Sequence, residues 1–340
     1  MPESLPIELF LNAPGVILDV RSPAEYEQGH IPGAVSFPLF SNEERAIVGT
    51  CYKQQGRDAA VELGFEIAGP KCAEFVKRAK TIAPDRLVRV HCWRGGMRSE
   101  AIAWILGMAG FKVSLLIGGY KAFRRWVLGS FEHPKPIIVL GGMTGSGKTE
   151  ILTALADQGA QTLDLEELAN HRGSSYGSLG LPDQPSNEHF ENRVAVRWAR
   201  LSPQRPVWVE AESKRIGTCR IPEPLFRQME QASVLEVTRS RVERVNTLVE
   251  IYGAADIPQL IMATERIRKR LGGQRTQQAI EFLRQGNLAE ACNIILDYYD
   301  KTYTYDLQRR NVPIYPVNVT GLSDAESANL LLEKADKLLM

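Results

Sequence analysis

The chain carries almost no net charge and has few cysteines for its 340 residues. Its 41 Lys and Arg residues nearly balance its 40 Asp and Glu residues, which leaves a formal charge of +1. No overall field therefore draws the protein to nucleic acid or to a membrane, and any basic surface has to be local. The five cysteines are scattered, odd in number and without a Cys-x-x-Cys pair, which argues against a disulfide scaffold and against a zinc knuckle.

Long apolar runs are also missing. The first six residues, Met-Pro-Glu-Ser-Leu-Pro, lack the basic and apolar stretches of a secretion signal. No uncharged apolar run reaches the ~20 residues that a membrane-spanning helix needs. We therefore expect a protein of the reducing cytoplasm that has no membrane partner.

Two successive cycles of strand, glycine-rich loop and helix divide the sequence. Strands are predicted at Val16–Val20, Leu87–His91 and Lys112–Ile117, and a new cycle begins with a strand at Ile137–Leu140. Between the cycles, two prolines in residues 131–136 prevent a continuous helix and indicate a linker. The alternation of strands and helices predicts an α/β fold in both halves, with parallel sheets covered by helices on both faces.

This pattern predicts two domains, formed by residues 1–133 and residues 134–340. Long helical stretches over Arg239–Tyr252 and much of Pro258–Tyr299 predict a helical part of the second domain at about residues 239–305. Three later strands are expected, at residues 206–210, 234–237 and 312–317.

The loop after the strand Ile137–Leu140 matches a phosphate-binding pattern. Residues 142–149 have the form Gly-x-x-x-x-Gly-Lys-Thr between a strand and a helix, which is the context that a P-loop requires. Glycines let backbone N–H groups face a phosphate, and the helix N-terminus adds its positive end. Lys148 brings a charge to the terminal phosphates, and Thr149 is placed to ligate Mg²⁺ if the ligand brings one. The residues expected to bind a diphosphate are Gly142, Thr144, Gly145, Ser146, Gly147, Lys148 and Thr149.

The aspartate that usually accompanies a P-loop, at the end of a second apolar strand, is not evident. The nearest candidates are Glu210, at the end of Val207–Glu210, and Glu212 just beyond it. Two interpretations stay open: the carboxylates hold a metal ion or a water, or they are ordinary charges at a strand end. Nucleotide hydrolysis does not follow from the loop alone, because a diphosphate on another compound would fit the same backbone.

The loop that begins at Cys92 is a second candidate site. Cys92 follows the strand Leu87–His91 and precedes a helix that starts near Arg98. Backbone N–H groups and two guanidinium groups are expected to face the sulfur, which favours the reactive thiolate and would stabilise an anionic sulfur or selenium adduct. The predicted anion loop consists of Cys92, Arg94, Gly95, Gly96 and Arg98.

Two other interpretations of Cys92 stay open. A small buried cysteine that only packs is common. The sequence from His91 to Ser99, His-Cys-x₅-Arg-Ser, also fits the cysteine phosphatases, in which the arginine holds a phosphate over the thiolate. Both kinds of loop hold an anion above a cysteine, so the loop alone does not separate sulfur transfer from phosphatase chemistry.

Motifs upstream of Cys92 resemble the N-terminal signature of rhodanese domains. They are Asp19-Val-Arg21, in which the two charges can pair, Glu25-Tyr26, and Gly29-His-Ile-Pro-Gly-Ala34. Together with the P-loop and with Ala169-Asn-His-Arg-Gly-Ser-Ser175, they make the chain similar to the bacterial tRNA 2-selenouridine synthases over essentially its whole length. The resemblance implies a rhodanese-like parallel-sheet domain followed by a P-loop domain with a helical insertion.

The resemblance further implies a two-stage exchange at the wobble uridine of tRNA. A 2-thiouridine is first S-geranylated from geranyl diphosphate, and the geranylthio group is then replaced by selenium from selenophosphate. Carried over to this chain, Cys92 serves the selenium step, and residues 142–149 hold the diphosphate of the geranyl donor. The implied partners are tRNA and, as a source of selenophosphate, a selenophosphate synthetase. No tightly bound cofactor is implied, although Mg²⁺ is a candidate.

Polar residues in two further loops are candidates for the surroundings of the P-loop. His171, Arg172 and Ser174 have donors that could reach a phosphate or tRNA, or that merely cap a helix. The same two interpretations apply to the segment Gln184-Pro-Ser-Asn-Glu188. The resemblance favours a functional role for both loops.

A locally basic stretch is a candidate surface for tRNA. From Arg239 to Arg275, eight basic residues stand against four acidic ones. Such a stretch is either a footprint for the phosphate backbone or a solvated helix face. Tyrosines at 298, 299, 303 and 305 could stack on unpaired anticodon bases, with packing as the default interpretation. The predicted tRNA contacts, in the anticodon region, are Arg239, Arg241, Arg244, Arg268, Lys269 and Arg270.

Three functions therefore compete. The first is tRNA selenation through a geranylated intermediate. The second is a fusion of a cysteine phosphatase with a P-loop kinase, which requires an acidic residue that can donate a proton near Cys92. The third is a rhodanese-type sulfurtransferase that acts on another acceptor, or a sulfur carrier without catalytic turnover.

Overall fold

Two parallel β-sheets of five strands each form the centres of two separate units. The computed structural model describes residues 2–339. One unit runs up to Ser130 and includes Glu191–Val196, and the other consists of Phe131–Phe190 and the chain from Arg197 onward. The predicted α/β class is confirmed. The structure divides the two units after Ser130, whereas the sequence predicts this boundary three residues later, after His133.

The sheet of the first unit has the strand order β1-β5-β4-β2-β3, and every pairing in it is parallel. Because helices cover both faces of such a sheet, its strand residues are buried on both sides, as Leu18 and Val90 are. The strands are β1 (Glu3–Leu5), β2 (Val16–Asp19), β3 (Val35–Ser36), β4 (Leu87–His91) and β5 (Lys112–Leu116). The helices are α1 (Ile7–Asn12), α2 (Pro23–Gln28), α3 (Asn42–Gln55), α4 (Arg57–Ala68), α5 (Cys72–Ile82), α6 (Met97–Met108) and α7 (Gly119–Ser130), with a 3₁₀ turn at Gly69–Lys71.

The helices α3 and α4 form a hairpin in the connection between β3 and β4. Short sequence signals fix where such helices begin. Ser41 accepts a hydrogen bond from the Glu44 amide while the Glu44 carboxylate accepts one from the Ser41 amide, so two otherwise unpaired donors are satisfied. The same reciprocal cap starts α2 at Ser22, with proline as the first helical residue.

A buried ion pair follows the end of β2. The side chains of Arg21 and Asp19 are 1% and 0% exposed, and Arg21 Nη2 lies 2.6 Å from Asp19 Oδ2. Arg21 also donates to the carbonyl oxygen of Gly29, and its guanidinium lies 3.7 Å from the centroid of the Tyr120 ring. A buried charge is tolerated only when it is paired and hydrogen-bonded. The pair therefore ties β2 to the segment that enters β3.

The sheet of the second unit has the order β12-β11-β6-β8-β7, again with parallel pairings. Its strands are β6 (Ile137–Gly142), β7 (Gln161–Leu163), β8 (Val207–Glu210), β11 (Val234–Thr238) and β12 (Ile314–Asn318), and β9 (Arg215–Ile216) with β10 (Cys219–Arg220) forms a small antiparallel hairpin. The helices are α8 (Lys148–Asp157), α9 (Leu165–Ala169), α10 (Asn187–Arg200), α11 (Glu223–Gln231), α12 (Arg241–Tyr252), α13 (Ile257–Arg266), α14 (Arg268–Leu271), α15 (Gly273–Arg284), α16 (Leu288–Gln308) and α17 (Asp324–Leu339). The middle of α10, Glu191–Val196, is the part of this helix that belongs to the first unit.

The predicted helical insertion is confirmed as the five helices α12–α16, which lie between β11 and β12. They have an apolar core of their own, which includes Leu248, Leu260, Leu283 and Leu296. The insertion therefore folds beside the sheet without interrupting the pairing of β11 with β12. Over residues 2–339, no helix is both long enough and apolar enough to cross a bilayer.

We expect Asp19→Ala to destabilise the first unit by about 3–5 kcal/mol, because it leaves the buried Arg21 without its counter-charge. Urea unfolding followed by circular dichroism measures the loss. Asp58→Ala is the matched control, since the Asp58 side chain is 93% exposed and its pair with Arg57 lies at the surface. Equal stability of the two variants would contradict the role given to the buried pair.

Candidate functional site

Both groups of candidate residues lie where parallel strands end. In the first unit, Cys92 directly follows β4. In the second unit, β6 runs into the loop that leads to Lys148 and α8. The carboxyl ends of parallel strands share one edge of a sheet, which is where α/β proteins bind ligands.

Hydrogen-bond donors surround the sulfur of Cys92, which is 4% exposed. Its Sγ lies 3.3 Å from the amide nitrogen of Gly96 and 3.2 Å from the hydroxyl of Ser99. The loop is tight: Gly95 has a φ of +69°, and a Cβ there would lie 2.6 Å from the carbonyl oxygen of Leu116. Only glycine fits this position, so the backbone can wrap around the sulfur.

The surroundings of Cys92 stabilise its thiolate. Burial opposes ionisation of the thiol, but the Ser99 hydroxyl, the positive charge of Arg98 and the backbone amides of Arg94 and Ser99 outweigh that effect. The pKa of Cys92 is therefore lowered from its usual value. The thiolate is the nucleophilic form of cysteine, so this loop has the electrostatics of a reactive site.

The two arginines of the predicted anion loop differ in their contributions. Arg98 is ion-paired with Glu25, with its Nη1 2.7 Å from Glu25 Oε2, and its charge acts on the Cys92 sulfur. Arg94 contributes its backbone amide, while its side chain is exposed. The expectation that both guanidinium groups face the sulfur is thus corrected: at Arg94 it is the backbone that faces it.

Two carboxylates near this loop bear on the phosphatase alternative. Asp19 is paired with Arg21, and Glu25 with Arg98. Burial raises the pKa of each carboxyl, but nearby positive charges and hydrogen bonds outweigh it, so both pKa values are lowered. A general acid has to carry a proton near neutral pH. Neither carboxyl meets that requirement, which favours sulfur or selenium chemistry at Cys92 over phosphatase chemistry.

The P-loop has the backbone shape of a phosphate cradle. Gly142, Gly145 and Gly147 have φ values of +155°, +80° and +80°, which favour glycine. Lys148 Nζ donates to the carbonyl oxygen of Gly142 at 3.0 Å, so its charge is held at the loop. Ser146 is 1% exposed, and its hydroxyl has no hydrogen-bond partner among the described residues. An unpaired buried hydroxyl is unfavourable unless a ligand satisfies it.

Two arginines of the predicted tRNA surface instead support this loop. Arg244 is buried, donates from Nε to the carbonyl oxygen of Thr144 at 2.9 Å and pairs with Asp300. Arg239 lies beside Gly147, where a Cβ would stand 3.1 Å from the Arg239 Nη1. Their guanidinium groups therefore belong to the surroundings of the P-loop.

The other predicted tRNA contacts fall into two groups. Arg241 pairs with Asp297 at 2.7 Å and with Asp300 at 3.1 Å. Arg268, Lys269 and Arg270 are exposed on α14. Of the predicted tRNA contacts, the three on α14 are thus the ones that face solvent.

Three carboxylates meet beside the P-loop. Glu210 ends β8, Glu212 follows it, and Glu166 lies in α9, just after β7. Because β8 pairs with both β6 and β7, the residues just beyond these strands converge. One oxygen from each carboxylate lies within 4.8 Å of the other two. Thr149 forms a side-chain hydrogen bond with Glu210, which connects the P-loop to this cluster.

Burial and mutual repulsion hold protons on this cluster. Burial, with the neighbouring Glu166 charge, raises the pKa of Glu210 to about 8, although Lys148 acts in the opposite direction. Burial likewise raises the pKa of Glu166 and Glu212, which share a hydrogen bond, so one of the two carries the proton. One oxygen of Glu210 has no partner among the described residues. A hard divalent cation such as Mg²⁺ prefers oxygen donors of this kind and would displace the protons.

A cleft of about 850 Å³ joins these groups within the second unit. Its walls include the P-loop, the three carboxylates and the loop with His171, Arg172 and Ser174. Burial lowers the pKa of His171, whose Nδ1 has no partner among the described residues. Arg172 Nη1 donates to the carbonyl oxygen of Leu179 at 2.9 Å, so this loop is held in place while it faces the cleft.

The segment Gln184–Glu188 has a structural role. Gln184 Nε2 donates to the carbonyl oxygens of Ala169 and Ile216, at 3.1 and 3.0 Å. The Ser186 hydroxyl accepts a hydrogen bond from the His189 amide and caps α10. The contacts of Gln184 and Ser186 brace the loop and start the helix, which matches the simpler of the two interpretations of this segment.

The residues that the sequence reasoning missed are Glu166 in the cleft, and Ser99 and Glu25 at the cysteine loop. Glu25 and Ser99 lie within the sequence motifs of this domain. Nothing in the neighbouring sequence indicates that Glu25 pairs with Arg98, or that Ser99 bonds to the Cys92 sulfur. Glu166 follows the short strand β7. No strand is predicted from the sequence at Gln161–Leu163; with one there, the acidic pair Asp164 and Glu166 just after it is the signal that could have found it.

Comparison with known proteins divides the chain in a similar way. Residues 135–325 match the family model described as the tRNA 2-selenouridine synthase AAA domain, and residues 7–125 match the model of the Rhodanese-like domain. A tRNA 2-selenouridine synthase of Marinobacter nauticus is 36% identical over 89% of this chain and 91% of its own length. The tRNA 2-selenouridine synthase of Bordetella petrii is 35% identical over 89% of this chain and 90% of its own length. The tRNA 2-selenouridine synthase of Hahella chejuensis is 36% identical over 89% of this chain and 88% of its own length. The predicted order of a rhodanese-like domain and a P-loop domain is confirmed.

The lowered pKa of Cys92 predicts a pH profile for its alkylation. The rate of modification by iodoacetamide, followed by mass spectrometry of the Cys92 peptide, should reach half of its maximum below the ~8.5 of an ordinary cysteine. Ser99→Ala removes a hydrogen bond to the thiolate and should move this midpoint to higher pH. Ser130→Ala, whose hydroxyl bonds to the Val127 carbonyl in the same unit, is the control. Identical midpoints for wild type and Ser99→Ala would refute this account of the loop.

Proposed function

Because the chain belongs to the tRNA 2-selenouridine synthase family, we propose that it converts the wobble 2-thiouridine of tRNA into 2-selenouridine. The observation that carries the proposal is the combination in one chain of a thiolate-stabilising loop at Cys92 with a phosphate cradle at Lys148. The enzyme is then a transferase with two activities, S-geranylation and selenation.

In the first stage, the sulfur of 2-thiouridine attacks C1 of geranyl diphosphate. The new C–S bond forms as the C–O bond to diphosphate breaks, and N3 of the base releases its proton to solvent. The group that has to be stabilised is the departing diphosphate, and the amides of residues 142–149 together with Lys148 suit it. Ser146 is a further donor, because its buried hydroxyl is free to bond with a phosphate oxygen.

Mg²⁺ fits the donor set beside this loop. We assign Glu166, Glu210 and Glu212 as the residues that would hold it, with Thr149 next to Glu210. The unpaired oxygen of the buried Glu210 is the observation that supports the assignment. When bound, the ion would add positive charge for the leaving diphosphate. Arg244 holds the shape of the loop through its hydrogen bond to the Thr144 carbonyl oxygen, and Arg239 places a positive charge beside Gly147.

In the second stage, selenium from selenophosphate attacks C2 of the S-geranylated base. The C2–S bond breaks, geranylthiol leaves with a proton from solvent, and water takes up the phosphoryl group, which leaves phosphate and 2-selenouridine. We assign Cys92 to this stage, since its loop gathers the Gly96 amide, the Ser99 hydroxyl and the Arg98 charge around an anionic chalcogen. A selenophosphate synthetase would supply the selenophosphate, either through solution or while docked.

For tRNA we propose contacts from the exposed side of α14. Arg268, Lys269 and Arg270 can release counter-ions from the phosphate backbone of the anticodon region. Arg270 also lines the cleft and donates to the Tyr298 hydroxyl at 3.1 Å. A base that enters the cleft would meet Tyr298 and Tyr299, whose rings suit stacking.

The main test supplies the protein with 2-thiouridine tRNA, geranyl diphosphate and selenophosphate, and measures nucleosides by mass spectrometry. We expect 2-selenouridine with all substrates and S-geranyl-2-thiouridine when selenophosphate is left out. Cys92→Ser should lose selenation and retain geranylation, whereas Lys148→Ala should lower geranylation by ~100-fold or more, since it removes charge that faces the leaving group.

Cys51→Ser is the matched control for that test, because Cys51 lies outside both the anion loop and the cleft and should retain both activities. Unchanged 2-thiouridine with the wild-type protein under all conditions would exclude the proposed function. A Cys92→Ser variant that loses geranylation but keeps selenation would contradict the assigned roles.

The carboxylate cluster predicts pH-dependent binding of Mg²⁺. Affinity measured by calorimetry should rise between pH 6.5 and pH 8.5, because the raised pKa values keep protons on the cluster at the lower pH. Glu210→Gln should weaken binding by ~10-fold or more at the higher pH. Glu333→Gln changes an exposed glutamate of the same unit and should bind as wild type does. Affinity that is independent of pH, or unaffected by Glu210→Gln, would rule out the assigned ligands.

A further inference from the structure

An apolar groove of about 730 Å³ lies in the first unit, between the hairpin of α3 and α4 and the helix α6. The P-loop cleft has charged and polar walls, whereas aliphatic and aromatic side chains form most of this groove. Its size falls in the ~300–1,000 Å³ range of small-ligand sites. The large apolar side chains of its wall include Phe40, Tyr52, Phe65, Met97, Trp104 and Ile105.

Several of these side chains are open to solvent. Trp104 is 65% exposed, Phe65 66% and Tyr52 53%. Single exposed apolar residues are ordinary, but a contiguous group that lines one concave surface indicates a binding site. The surface therefore has room for an apolar ligand, and the described residues of its unit leave these side chains uncovered.

The groove is continuous with the Cys92 loop. Met97 and Arg98, the first residues of α6, line the groove. On either side of them in the chain, the Gly96 amide and the Ser99 hydroxyl bond to the Cys92 sulfur. A ligand in the groove would thus have one end beside the thiolate. Arg98 is part of both the groove and the Cys92 loop, because it lines the groove and its charge acts on the Cys92 sulfur.

We propose that this groove binds the ten-carbon isoprenoid chain of S-geranyl-2-thiouridine while C2 of the base lies at the Cys92 loop. The proposal rests on the selenation activity proposed above. After geranylation, the diphosphate has left and the chain is attached to the tRNA through the sulfur at C2. That sulfur is also the atom that departs when selenium attacks, so a surface for the leaving group has to start next to the reacting carbon.

The chemistry of the groove suits this ligand. A geranyl chain has no polar atoms, so its transfer from water to Phe65 and Trp104 is driven by the hydrophobic effect. The lining also contains charged residues of both signs in equal number, so its charges balance and the apolar side chains distinguish this groove; they are Arg45, Arg57, Arg98, Asp58, Glu62 and Glu100. The two surfaces thus serve different stages: the polar cleft suits the diphosphate before geranylation, and the apolar groove suits the chain once it is attached to the base.

Binding of synthetic anticodon stem-loops tests the proposal without any turnover. Three RNAs that differ only at the wobble base carry S-geranyl-2-thiouridine, S-methyl-2-thiouridine or 2-thiouridine, and fluorescence anisotropy gives each Kd. We expect the full-length wild-type protein to prefer the S-geranyl RNA over the S-methyl RNA by ~10-fold or more. Trp104→Ala and Phe65→Ala should each remove most of that preference and leave the affinity for the S-methyl RNA unchanged.

Met108→Ala is the matched control, because Met108 lies on the same helix, is 75% exposed and does not line the groove. It should retain the full preference. The exposure of Trp104 and Phe65 means that their variants should fold, and thermal unfolding checks this. The geranylation rate from geranyl diphosphate should stay at the wild-type level in both variants, while the KM for selenation of geranylated tRNA rises by ~10-fold.

A preference that persists in Trp104→Ala and Phe65→Ala would overturn the groove proposal. So would a Trp104-dependent dimer in sedimentation equilibrium combined with an unchanged preference, which would make the groove an interface between two copies. Failure of the proposed function is distinguishable: the wild-type protein would then produce no 2-selenouridine from geranylated tRNA, whatever its affinity for the stem-loops.

Discussion

Burial of charge at the carboxyl ends of parallel strands is the constraint on which both units depend. At the end of β2, the Asp19 carboxylate is tolerated because the Arg21 guanidinium neutralises it. After β4, amides, a hydroxyl and Arg98 surround Cys92 and lower the pKa of its thiol, so its thiolate is favoured. After β8, the carboxylate of Glu210 is not neutralised in the same way and holds a proton instead. The cost of burying an acidic group is thus offset differently at each strand end: by a counter-charge, by hydrogen-bond donors or by a bound proton.

As a result, the Cys92 loop and the P-loop cleft suit different ligands and reactions. The cysteine loop lowers a pKa and stabilises an anion of the protein itself, so it suits a reaction that develops charge on sulfur or selenium. The cleft offers amides and Lys148 on one side and proton-holding carboxylates on the other, so it suits an anionic ligand that arrives with a cation. A reaction with a diphosphate leaving group and a later chalcogen exchange requires both kinds of environment.

The sequence predicts those parts of the two sites that are formed by contiguous residues. The P-loop from Gly142 to Thr149 and the loop at Cys92 are contiguous, and their glycines have a direct backbone reason. The carboxylate cluster is different, because Glu166 and Glu210 are far apart in sequence and meet only through the strand order β6-β8-β7. The basic stretch is ambiguous for a similar reason: the partner of Arg244 is Asp300, which lies in another helix. A count of charges does not distinguish a guanidinium that is paired inside the protein from one that faces solvent.

The hairpin of α3 and α4 lies in a connection between β3 and β4 that the chain must make in any case, since parallel strands need a crossover. Its residues add a wall to the groove while the sheet, the Asp19–Arg21 pair and the sulfur loop remain as they are. The donors to the Cys92 sulfur lie outside this hairpin, at Gly96 and Ser99. Under the groove proposal, the choice of leaving group and the reactivity of the thiolate therefore reside in different segments of the chain.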